Sequence, residues 1–344
     1  MANDPTNKRV TSFDVARLAG VSRSAVSRAF SDDAVISEKT REKVVQAAEE
    51  LGYRVNFMAR SLKTQHSNLV GIVVSALDTP YRAGQVKIAA REFVRKGFRP
   101  ILMIAETEAE VESLSAQLFS YNIAGLLVTS ATPPSSIFTE CHKLAIPIVL
   151  VNRGKEVDGV DNIQMDTQQG GELAFEMLTS SGATRLAVVH PQEVSFSVTG
   201  RADAFVQACN RASVPVKEFL STGQTYSDGA EIVKKIGPQV GPDGGIDGVF
   251  CATDLLAFGV MDGLIHDFGI SIPEQVQLVG FNNIEQSSWR GYELSTIQQD
   301  SEAQSLEAVE MMLDRIKNPS QKAKNVVHPV TPVYRKTTRN SHGT

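Results

Sequence analysis

The stretch VTSFDVARLAGVSRSAVSRAF, from Val10 to Phe30, contains two short helical patterns separated by a glycine. Thr11, or the serine after it, can cap a first helix that continues through Ala19, with Val15, Leu18 and Ala19 as its apolar stripe. Gly20 ends this pattern, because glycine adopts the left-handed conformation that often terminates a helix. Ser22 can then cap a second helix. The sequence therefore predicts two helices joined by a tight turn.

The second helix has two different faces. Val26, Ala29 and Phe30 fall at positions i, i+3 and i+4, which places them on one apolar face. The outward face carries Arg23, Ser24, Ser27 and Arg28. A third helix follows, with Ser37 as its cap and an apolar stripe of Val44, Ala47, Ala48 and Leu51. This pattern predicts a helix-turn-helix unit.

Spacing alone does not separate a DNA-binding head from any other small three-helix domain. The outward face of the second helix favours DNA, because arginine pairs with guanine and serine bonds to either base type. In a helix-turn-helix protein the first residues of the second helix face the base edges. Arg23 and Ser24 occupy those positions.

Composition indicates a globular chain with an uneven charge distribution. The 344 residues are 42% hydrophobic and 21% charged, with a formal net charge of −5. Residues 1–64 contain eleven Lys and Arg against eight Asp and Glu, whereas the remainder contains 23 against 31. A small basic head on a larger acidic body is therefore expected, with nucleic acid as a partner of the head.

The sequence contains few other patterns that indicate a redox, membrane, metal or catalytic role. Cys141, Cys209 and Cys251 lie far apart without a CxxC spacing, which indicates reduced, buried thiols of a cytoplasmic protein. No apolar run is long enough for a signal peptide or a membrane span, so no membrane partner is expected. The six histidines lack metal-ligand spacing, and no P-loop, GxSxG, HExxH or GxGxxG motif occurs. We expect no metal, no cofactor and no enzymatic activity.

At this point the residues resemble a known family. The opening stretch and the later VISEKTREKVVQAAEELGYRVNFMARSLKT resemble the DNA-binding head and hinge of lactose-repressor-family (LacI/GalR-type) regulators, with DVA, AGVS, VSR, LGY and ARSL in order. The resemblance implies that Arg23 and Ser24 read bases and that Arg28 contacts a base or a phosphate. The implied contacts to the DNA backbone come from Thr11, Phe13, Ser22 and Ser37.

The hinge is expected in NFMARSLKTQHSN, residues 56–68. Asn56 can cap a helix of about two turns, which is too short to persist alone in water. The resemblance implies that this helix forms on DNA, pairs across a dimer in the minor groove near Ala59, and inserts Leu62 between base steps. From the residues alone, Leu62 packing on the body is the simpler reading. Val55 replaces the proline that usually precedes the asparagine.

From Leu69 onward, apolar strand-like runs alternate with amphipathic helical stretches, which predicts parallel sheets covered on both faces. About 270 residues exceed the usual size of one core, so two doubly wound α/β lobes are expected. The resemblance implies a body like a periplasmic sugar-binding protein. The expected domains are a helix-turn-helix head (1–54), a hinge (55–67) and an effector-binding and dimerisation body (68–344), with lobe one at about 69–165 and 299–326 and lobe two at about 166–295 and 327–338.

Ligands of such sheets bind beyond the carboxyl ends of the strands. That rule selects Tyr81, Arg82, Arg153, Arg201, Asp254, Asn282 and Asn283, although each alone is more often a solvated loop residue. The resemblance selects nearly the same effector-binding set and adds Tyr226 and Gln299.

Three of these candidates are arginines. Arg82, Arg153 and Arg201 face one carboxylate, Asp254, so a closed cleft would hold uncompensated positive charge. A hydroxylated anionic effector such as a sugar acid or sugar phosphate would supply the missing charge, with Asp254 holding its hydroxyls. The alternative is a neutral sugar, with Arg82 or Arg153 turned outward.

The sequence is thus identified as a transcription regulator of this family, a repressor controlled by a small effector. It is expected to bind a roughly palindromic operator as a homodimer, because two-fold protein symmetry matches two half-sites. The alternative from another class is a solute-binding protein of the same body fold. Residues 1–66 and the lack of a signal peptide argue against it. A nucleic-acid-binding enzyme would need a catalytic cluster.

Overall fold

The computed structural model describes residues 10–30, 35–54, 67–75, 77–105, 107–129, 135–153, 157, 159–192, 196–241 and 245–339. The chain divides into two compact units, Met1–Ser67 and Asn68–Thr344. We refer to them as the head and the body.

The described part of the head is all helical. Its helices are α1 (Ser12–Ala19), α2 (Arg23–Ala29) and α3 (Glu38–Glu50). The side chains that they bury together are Val15, Ala16, Val26, Ala29, Val44, Ala47 and Ala48. The apolar stripes of the sequence therefore meet in one core, and the expected all-α head is confirmed.

The helix ends follow from local chemistry. Gly20 has φ of 65° and ends α1 in the left-handed conformation. The Ser22 hydroxyl accepts from the Ala25 N–H at 3.2 Å, and the Ser37 hydroxyl accepts from the Thr40 N–H at 3.3 Å. Each serine satisfies a backbone donor that the helix itself cannot pair.

The start of α1 differs from the simplest pattern in one respect. Thr11 is the cap residue, and both its N–H and its hydroxyl donate to the Asp14 carboxylate, at 3.0 and 2.7 Å.

Leu18, which the spacing places on the apolar stripe, is 46% exposed. Ala16 is buried instead, in the core that the three helices share.

The body contains twelve described strands and eight described helices. The strands are β1 (Leu69–Val74), β2 (Arg99–Ile104), β3 (Gly125–Val128), β4 (Ile148–Val151), β5 (Asp161–Met165), β6 (Leu186–Pro191), β7 (Val216–Ser221), β8 (Gly248–Cys251), β9 (Gln277–Asn282), β10 (Ser295–Gln299), β11 (Asn325–His328) and β12 (Val330–Val333). The helices are α4 (Pro80–Arg95), α5 (Glu108–Ser120), α6 (Ser135–Lys143), α7 (Thr167–Ser180), α8 (Phe196–Arg211), α9 (Tyr226–Ile236), α10 (Asp254–His266) and α11 (Ser301–Lys317).

Two six-stranded sheets define two lobes. Lobe one has the strand order β11-β5-β4-β3-β1-β2 and lobe two the order β12-β10-β9-β8-β6-β7. All pairs are parallel except β10 with β12. That exception has a simple cause, since β10 leads out of lobe two whereas β12 enters it from lobe one.

The chain passes between the lobes three times. It leaves lobe one after Met165, returns from lobe two after Gln299, and crosses again at Pro329, between β11 and β12. The segment from α11 to β12 therefore contributes to both lobes. The carboxyl ends of the parallel strands of both lobes lie near these crossings.

Helices cover both faces of each sheet. In lobe one, Phe93 and Met312 pack on one face and Leu118 on the other. In lobe two, Phe205 lies on one face and Leu264 on the other. Burying such a side chain contributes about 1.5–3 kcal/mol, so each lobe has its own substantial core. The expected body of two doubly wound lobes is confirmed. None of the helices in the described ranges is long and apolar enough to cross a membrane.

Candidate functional site

Helix α2 presents a polar face to solvent. Arg23, Ser24, Ser27 and Arg28 are exposed, while Val26 and Ala29 are buried against the other helices. The Arg41 guanidinium donates to the Ala29 carbonyl at 2.6 Å, which holds the end of α2 on α3. The polar face is therefore carried on a fixed support.

The exposed side chains of α2 interact along the helix. Arg28 donates from Nε to the Ser24 carbonyl oxygen and from Nη2 to the Ser24 hydroxyl, both at 3.3 Å. The hydroxyl oxygens of Ser22 and Ser24 lie 2.8 Å apart. This face offers arginine donors and serine hydroxyls together, which suits both base edges and phosphates.

The other head residues singled out in the sequence border this face in sequence or begin a helix. Phe13 is 59% exposed, and Thr11, Ser22 and Ser37 are exposed at the starts of the three helices. The hinge candidates Asn56, Ala59 and Leu62 lie outside the described residues.

In the body, side chains from both lobes meet near the crossing strands. The Tyr81 hydroxyl, on α4 of lobe one, donates to Gln299 Oε1 at 3.1 Å, at the end of β10. Gln299 Nε2 in turn donates to Asn282 Oδ1 at 2.6 Å, at the end of β9. All three side chains line a cavity of about 560 Å³ between the lobes. The rule about strand ends selected Tyr81 and Asn282, and the resemblance added Gln299; the structure brings these three side chains together, and their role toward an effector stays a prediction.

Arg201 is a buried cation on α8. It is 3% exposed, and its guanidinium carbon lies 3.8 Å from the centroid of the Phe281 ring. Its donors reach neutral acceptors, namely the carbonyls of Ser197 and Ala252 at 2.8 and 3.1 Å and Asn282 Oδ1 at 3.4 Å. Burial lowers the pKa of Arg201 to about 10, opposed by the charges of Tyr81 and Asp254.

Asp254 begins α10 and is fully buried. Its carboxylate accepts from the Thr296 hydroxyl at 2.5 Å, from the Ser287 hydroxyl at 2.8 Å and from the Ile284 N–H at 2.9 Å. Burial raises its pKa, and these three donors and the charge of Arg335 lower it. The carboxylate therefore fastens lobe-two loops in this structure instead of turning free oxygens toward the cleft.

Gly280 shows how tightly Asp254 is enclosed. A Cβ at Gly280 would lie 2.3 Å from Asp254 Oδ1. Only glycine fits on β9 at this point, because any side chain would displace the carboxylate or the strand.

Arg82 lies beside Tyr81 in the first turn of α4 and is partly buried. Burial raises the pKa of the Tyr81 hydroxyl, while a hydrogen bond from Asn152 and the positive charges of Arg201 and Arg82 lower it. Arg82 and Arg201 therefore act on the same hydroxyl from the two lobes.

Two predicted effector residues have other partners. The guanidinium carbon of Arg153 lies 5.2 Å from the centroid of the Phe138 ring, inside lobe one. The Tyr226 hydroxyl donates at 2.8 Å to Asp262, which lies two helical turns beyond Asp254. The structure brings together Tyr81, Arg82, Arg201, Asn282 and Gln299, and it does not place Tyr226 or Arg153 with them.

Sequence reasoning missed four polar residues at the same place. They are Gln85, Asn152, Gln304 and Arg335. Asn152 follows β4 directly, so the rule about strand ends selects it as well as its neighbour Arg153. Gln85 lies one helical turn after Tyr81 and shares its face. Gln304 and Arg335 carry no signal in the sequence, because only the fold brings them to the cleft.

Three asparagines near the cleft have left-handed backbone conformations. The φ angles are 59° at Asn152, 121° at Asn282 and 51° at Asn283. Asparagine tolerates positive φ better than most residues, yet an angle of 121° is unusual for any residue but glycine. Such strain is typical of functional sites. Within the described ranges, no group of three or more His, Cys, Asp and Glu side chains could hold a metal ion.

Comparison with known proteins agrees with this geometry. Residues 13–56 match the family model for bacterial regulatory proteins of the lacI family. Residues 175–338 match the model for periplasmic binding protein-like domains. The crystal structure of the Lac repressor dimer bound to operator and the anti-inducer ONPF superposes with a TM-score of 0.85 at 24% identity, covering 96% of this chain and 99% of that one.

Curated relatives match over nearly the whole length. The HTH-type transcriptional repressor PurR of Vibrio cholerae serotype O1 (strain M66-2) is 30% identical over 313 residues, 89% of this chain and 91% of that protein. The ribose operon repressor of Lactococcus lactis subsp. lactis (strain IL1403) is 29% identical over 327 residues, 94% and 97% of the two chains. Both relatives are named as repressors and not as enzymes. The order of head and body, the interlobe site and these matches lead to one conclusion: the chain belongs to the LacI family of bacterial regulatory proteins.

Proposed function

We propose that this protein is a transcriptional repressor that binds a roughly palindromic operator as a homodimer and responds to a small effector in the interlobe cleft. The observation that carries the proposal is helix α2, which exposes Arg23, Ser24, Ser27 and Arg28 on a buried apolar back. The relatives named as repressors and the similarity to the operator-bound dimer of the Lac repressor support it. Action on DNA would place the protein in the cytoplasm.

In this proposal Arg23 and Ser24 read base edges, and Arg28 contacts a base or a phosphate. The exposed Thr11, Phe13, Ser22 and Ser37 contact the DNA backbone. The hinge residues Asn56, Ala59 and Leu62 enter the minor groove, with Leu62 as the wedge between base steps.

The experiment that tests DNA binding is a footprint on the region upstream of the protein's own gene. We expect one protected, roughly palindromic site with a flexible pyrimidine–purine step at its centre, which kinks most easily. Leu62→Ala should weaken binding to that site and leave the folded body intact. A variant that binds and bends the site like the parent would contradict the wedge role.

We propose further that the effector is a small hydroxylated anion. Arg201 is buried and forms no ion pair with any residue that the structure describes. The negative charge of Asp254 acts on Arg201, but Asp254 also lies near Arg335 and already accepts three hydrogen bonds. Buried Arg201 therefore lacks a paired carboxylate among the described residues, and a carboxylate or phosphate of the effector would supply the missing charge. Arg82 lies beside the same Tyr81 hydroxyl.

A thermal-shift screen tests the charge of the effector. Ribose, glucose and galactose are compared with ribose 5-phosphate, glucose 6-phosphate and gluconate, because a ligand of the native state raises the melting temperature. We expect shifts from the anions that are lost in Arg82→Ala and Arg201→Ala. Arg211→Ala is the matched control, since Arg211 is exposed on the same helix as Arg201 and pairs with Glu172. Tight binding of a neutral sugar, unchanged in Arg82→Ala, would contradict the proposal.

The solute-binding alternative shares the body and differs in the head. The match of residues 13–56 to regulatory proteins and the exposed face of α2 favour the repressor. A protein that bound the anionic effector and protected no DNA site in any footprint would favour the solute-binding alternative over the repressor.

A further inference from the structure

Three side chains on the exposed face of α2, which we call the hydroxyl chain, are bonded to one another. The members are Ser22, Ser24 and Arg28, and all three are exposed. The Ser22 and Ser24 hydroxyl oxygens lie 2.8 Å apart, and Arg28 Nη2 lies 3.3 Å from Ser24 Oγ. What one member offers to DNA therefore depends on its bonds to the other two.

Two bonds to the serine hydroxyls have a fixed direction. The Arg28 guanidinium only donates, so Ser24 Oγ accepts from it. The Ala25 backbone N–H also only donates, so Ser22 Oγ accepts from it at 3.2 Å. Each hydroxyl then has one hydrogen and one lone pair left. The bond between the two hydroxyls can run either way.

The single hydrogen of each hydroxyl restricts the hydroxyl chain to two orders. If Ser24 donates to Ser22, the Ser22 hydrogen is free for DNA and Ser24 offers only its lone pair. If Ser22 donates to Ser24, the free hydrogen is on Ser24 instead. While the two hydroxyls stay bonded, one serine can donate to DNA and the other can only accept.

A phosphate at Ser22 selects the first order. In the proposed function Ser22 contacts the DNA backbone, whose phosphate oxygens only accept hydrogen bonds. The Ser22 hydrogen must then point to the phosphate, and such a charge-assisted bond is about twice as strong as a neutral one. Ser24 consequently donates to Ser22 and turns a lone pair toward the bases.

The lone pair of Ser24 distinguishes the base edges of the major groove. Adenine and cytosine present amino groups, at N6 and N4, which donate hydrogen bonds. Guanine presents only the acceptors N7 and O6, and thymine presents the acceptor O4 and a methyl group. Against guanine or thymine, the Ser24 oxygen would face another acceptor or a methyl group. The choice between base types that serine usually has is therefore lost in the hydroxyl chain.

Arg28 keeps the donors that it needs for a base of its own. Its Nε donates to the Ser24 carbonyl oxygen at 3.3 Å, and Nη2 uses one of its two hydrogens on the Ser24 hydroxyl. The second Nη2 hydrogen and both Nη1 hydrogens are not used in these bonds, and they form the fork that pairs with guanine N7 and O6. Holding Arg28 along the helix and accepting from a base are thus compatible roles of Ser24.

We propose that Ser24 reads the amino group of an adenine or a cytosine, because Ser22 holds the hydroxyl chain in the order that makes Ser24 an acceptor. Ser22 is a positioning residue for this contact, since it acts on the base through Ser24. The inference rests on the proposed function for the phosphate at Ser22, and it names the class of base that the same face recognises.

The test begins with the selection of operator sequences from a randomised duplex library by the full-length protein. The base pair that Ser24 contacts is the one whose preference disappears in Ser24→Ala. Every base pair presents an amino group from one base and acceptors from the other in the major groove, so the selected sequence alone does not assign the contacted group. Base analogues make that assignment.

Single groups of this base pair are then removed. Purine in place of adenine, or 2-pyrimidinone in place of cytosine, lacks the amino group. 5-Methyl-2-pyrimidinone in place of thymine, or 2-aminopurine in place of guanine, lacks the carbonyl oxygen. We expect loss of the amino group to weaken parental binding about tenfold more than it weakens binding by Ser24→Ala, which is the size of one base-pair mismatch. Loss of the carbonyl oxygen should affect both proteins equally.

Two substitutions at Ser22 separate its positioning role from its phosphate contact. In Ser22→Asp the carboxylate accepts from Ser24 and repels phosphate, so affinity should fall on every sequence while the amino-group effect stays. In Ser22→Gly the oxygen that accepts from Ser24 is absent, whereas glycine still suits the start of a helix. Ser24 can then donate or accept, and the amino-group effect should largely disappear.

The matched control is Ser37→Gly. Ser37 caps α3 as Ser22 caps α2, and its hydroxyl oxygen lies 2.7 Å from that of Thr40. It is also a predicted contact to the DNA backbone. Its replacement should lower the affinity for DNA and keep the amino-group effect, because Ser37 has no part in the hydroxyl chain.

Equal effects of amino-group removal on the parent and on Ser24→Ala, or an unchanged effect in Ser22→Gly, would overturn the proposal. If Ser22→Gly does not fold, the comparison of the parent with Ser24→Ala decides, because Ser24 is exposed and lies outside the core of the head. A library that yields no preferred sequence would overturn the proposed function, and this inference with it. A preferred sequence in which Ser24 contacts the carbonyl oxygen would overturn this inference alone.

Discussion

Arg23 in the head and Arg201 in the body are the same residue type in opposite environments. Arg23 is exposed at the start of α2, whereas Arg201 is 3% exposed, stacked on Phe281 and held by neutral oxygens. In the head, the cations stay hydrated until DNA binds, so the free energy of removing their water lowers the affinity for DNA. In the body, Arg201 loses its water when the protein folds. The free energy of removing that water therefore lowers the stability of the free protein, and a ligand of Arg201 does not have to remove it again.

Ionic strength should separate the two regions most strongly. Operator binding releases counterions, and a dimer with six phosphate contacts would lose about 10³-fold in affinity between 50 and 200 mM salt. Binding of an anion to buried Arg201 is screened far less, and we expect less than about a tenfold change over the same range. Fluorescence anisotropy with labelled operator and calorimetry with the anion measure both. Equal slopes of log affinity against log salt concentration for the two ligands would contradict the expected difference between head and body.

The buried carboxylate should dominate folding stability. Asp254→Ala leaves three buried donors without an acceptor and removes the negative charge near Arg335, which should cost about 3–5 kcal/mol of unfolding free energy. Urea denaturation followed by the single tryptophan, Trp289, measures it. Asp203→Ala is the control, because Asp203 is exposed on α8. A loss as small as that of the control would show that the hydrogen bonds around Asp254 are not formed in solution.

The exposed arginine should matter for binding only. Arg23→Ala should cost about 1–3 kcal/mol on the operator and relax specificity at one base position per half-site, without a change in unfolding. Arg17→Ala is the matched control, since Arg17 is exposed on α1 and pairs with Asp14 at 3.1 Å. Competition between operator and random DNA measures the effect. Equal losses on both would make Arg23 a phosphate contact.

Thiol reactivity gives the smallest effect and reports on the body alone. Burial raises the pKa of Cys141 and Cys209 to about 12 and also raises that of Cys251. Because the thiolate is the reactive form, these protonated thiols should not react with a disulfide reagent at pH 8 until the body unfolds. Three thiols per chain should then appear. Rapid reaction in the native protein would contradict the burial.

Sequence patterns predicted the head more completely than the body. The caps at Ser22 and Ser37, the turn at Gly20 and the exposed face of α2 all depend on residues within four positions of one another, and the structure has them where they were expected. Leu18 is the exception, since burial on a short helix depends on its neighbours in space.

In the body, periodicity predicted two doubly wound lobes. The rule about strand ends selected Tyr81, Arg201 and Asn282, and the resemblance added Gln299; the structure brings these four side chains together. Sequence reasoning could not assign their partners. Asp254 was expected to hold hydroxyls of an effector, and its oxygens are bonded instead to Thr296, Ser287 and Ile284. Whether a polar side chain faces a cleft or a neighbouring loop depends on contacts distant in sequence.

The sequence by itself determined the helix-turn-helix head, the α/β class of the body and the family, because periods, caps and motifs are local properties of the chain. Only the tertiary structure decided the chemistry of the cleft. Tyr81 meets Gln299 across 218 positions and Gln85 meets Gln304 across 219. Arg201 and the Met165 backbone N–H donate to Asn282 and Asn152 in the same cleft. No local sequence pattern predicts these hydrogen bonds, since they form only when the two lobes bring the same side chains together.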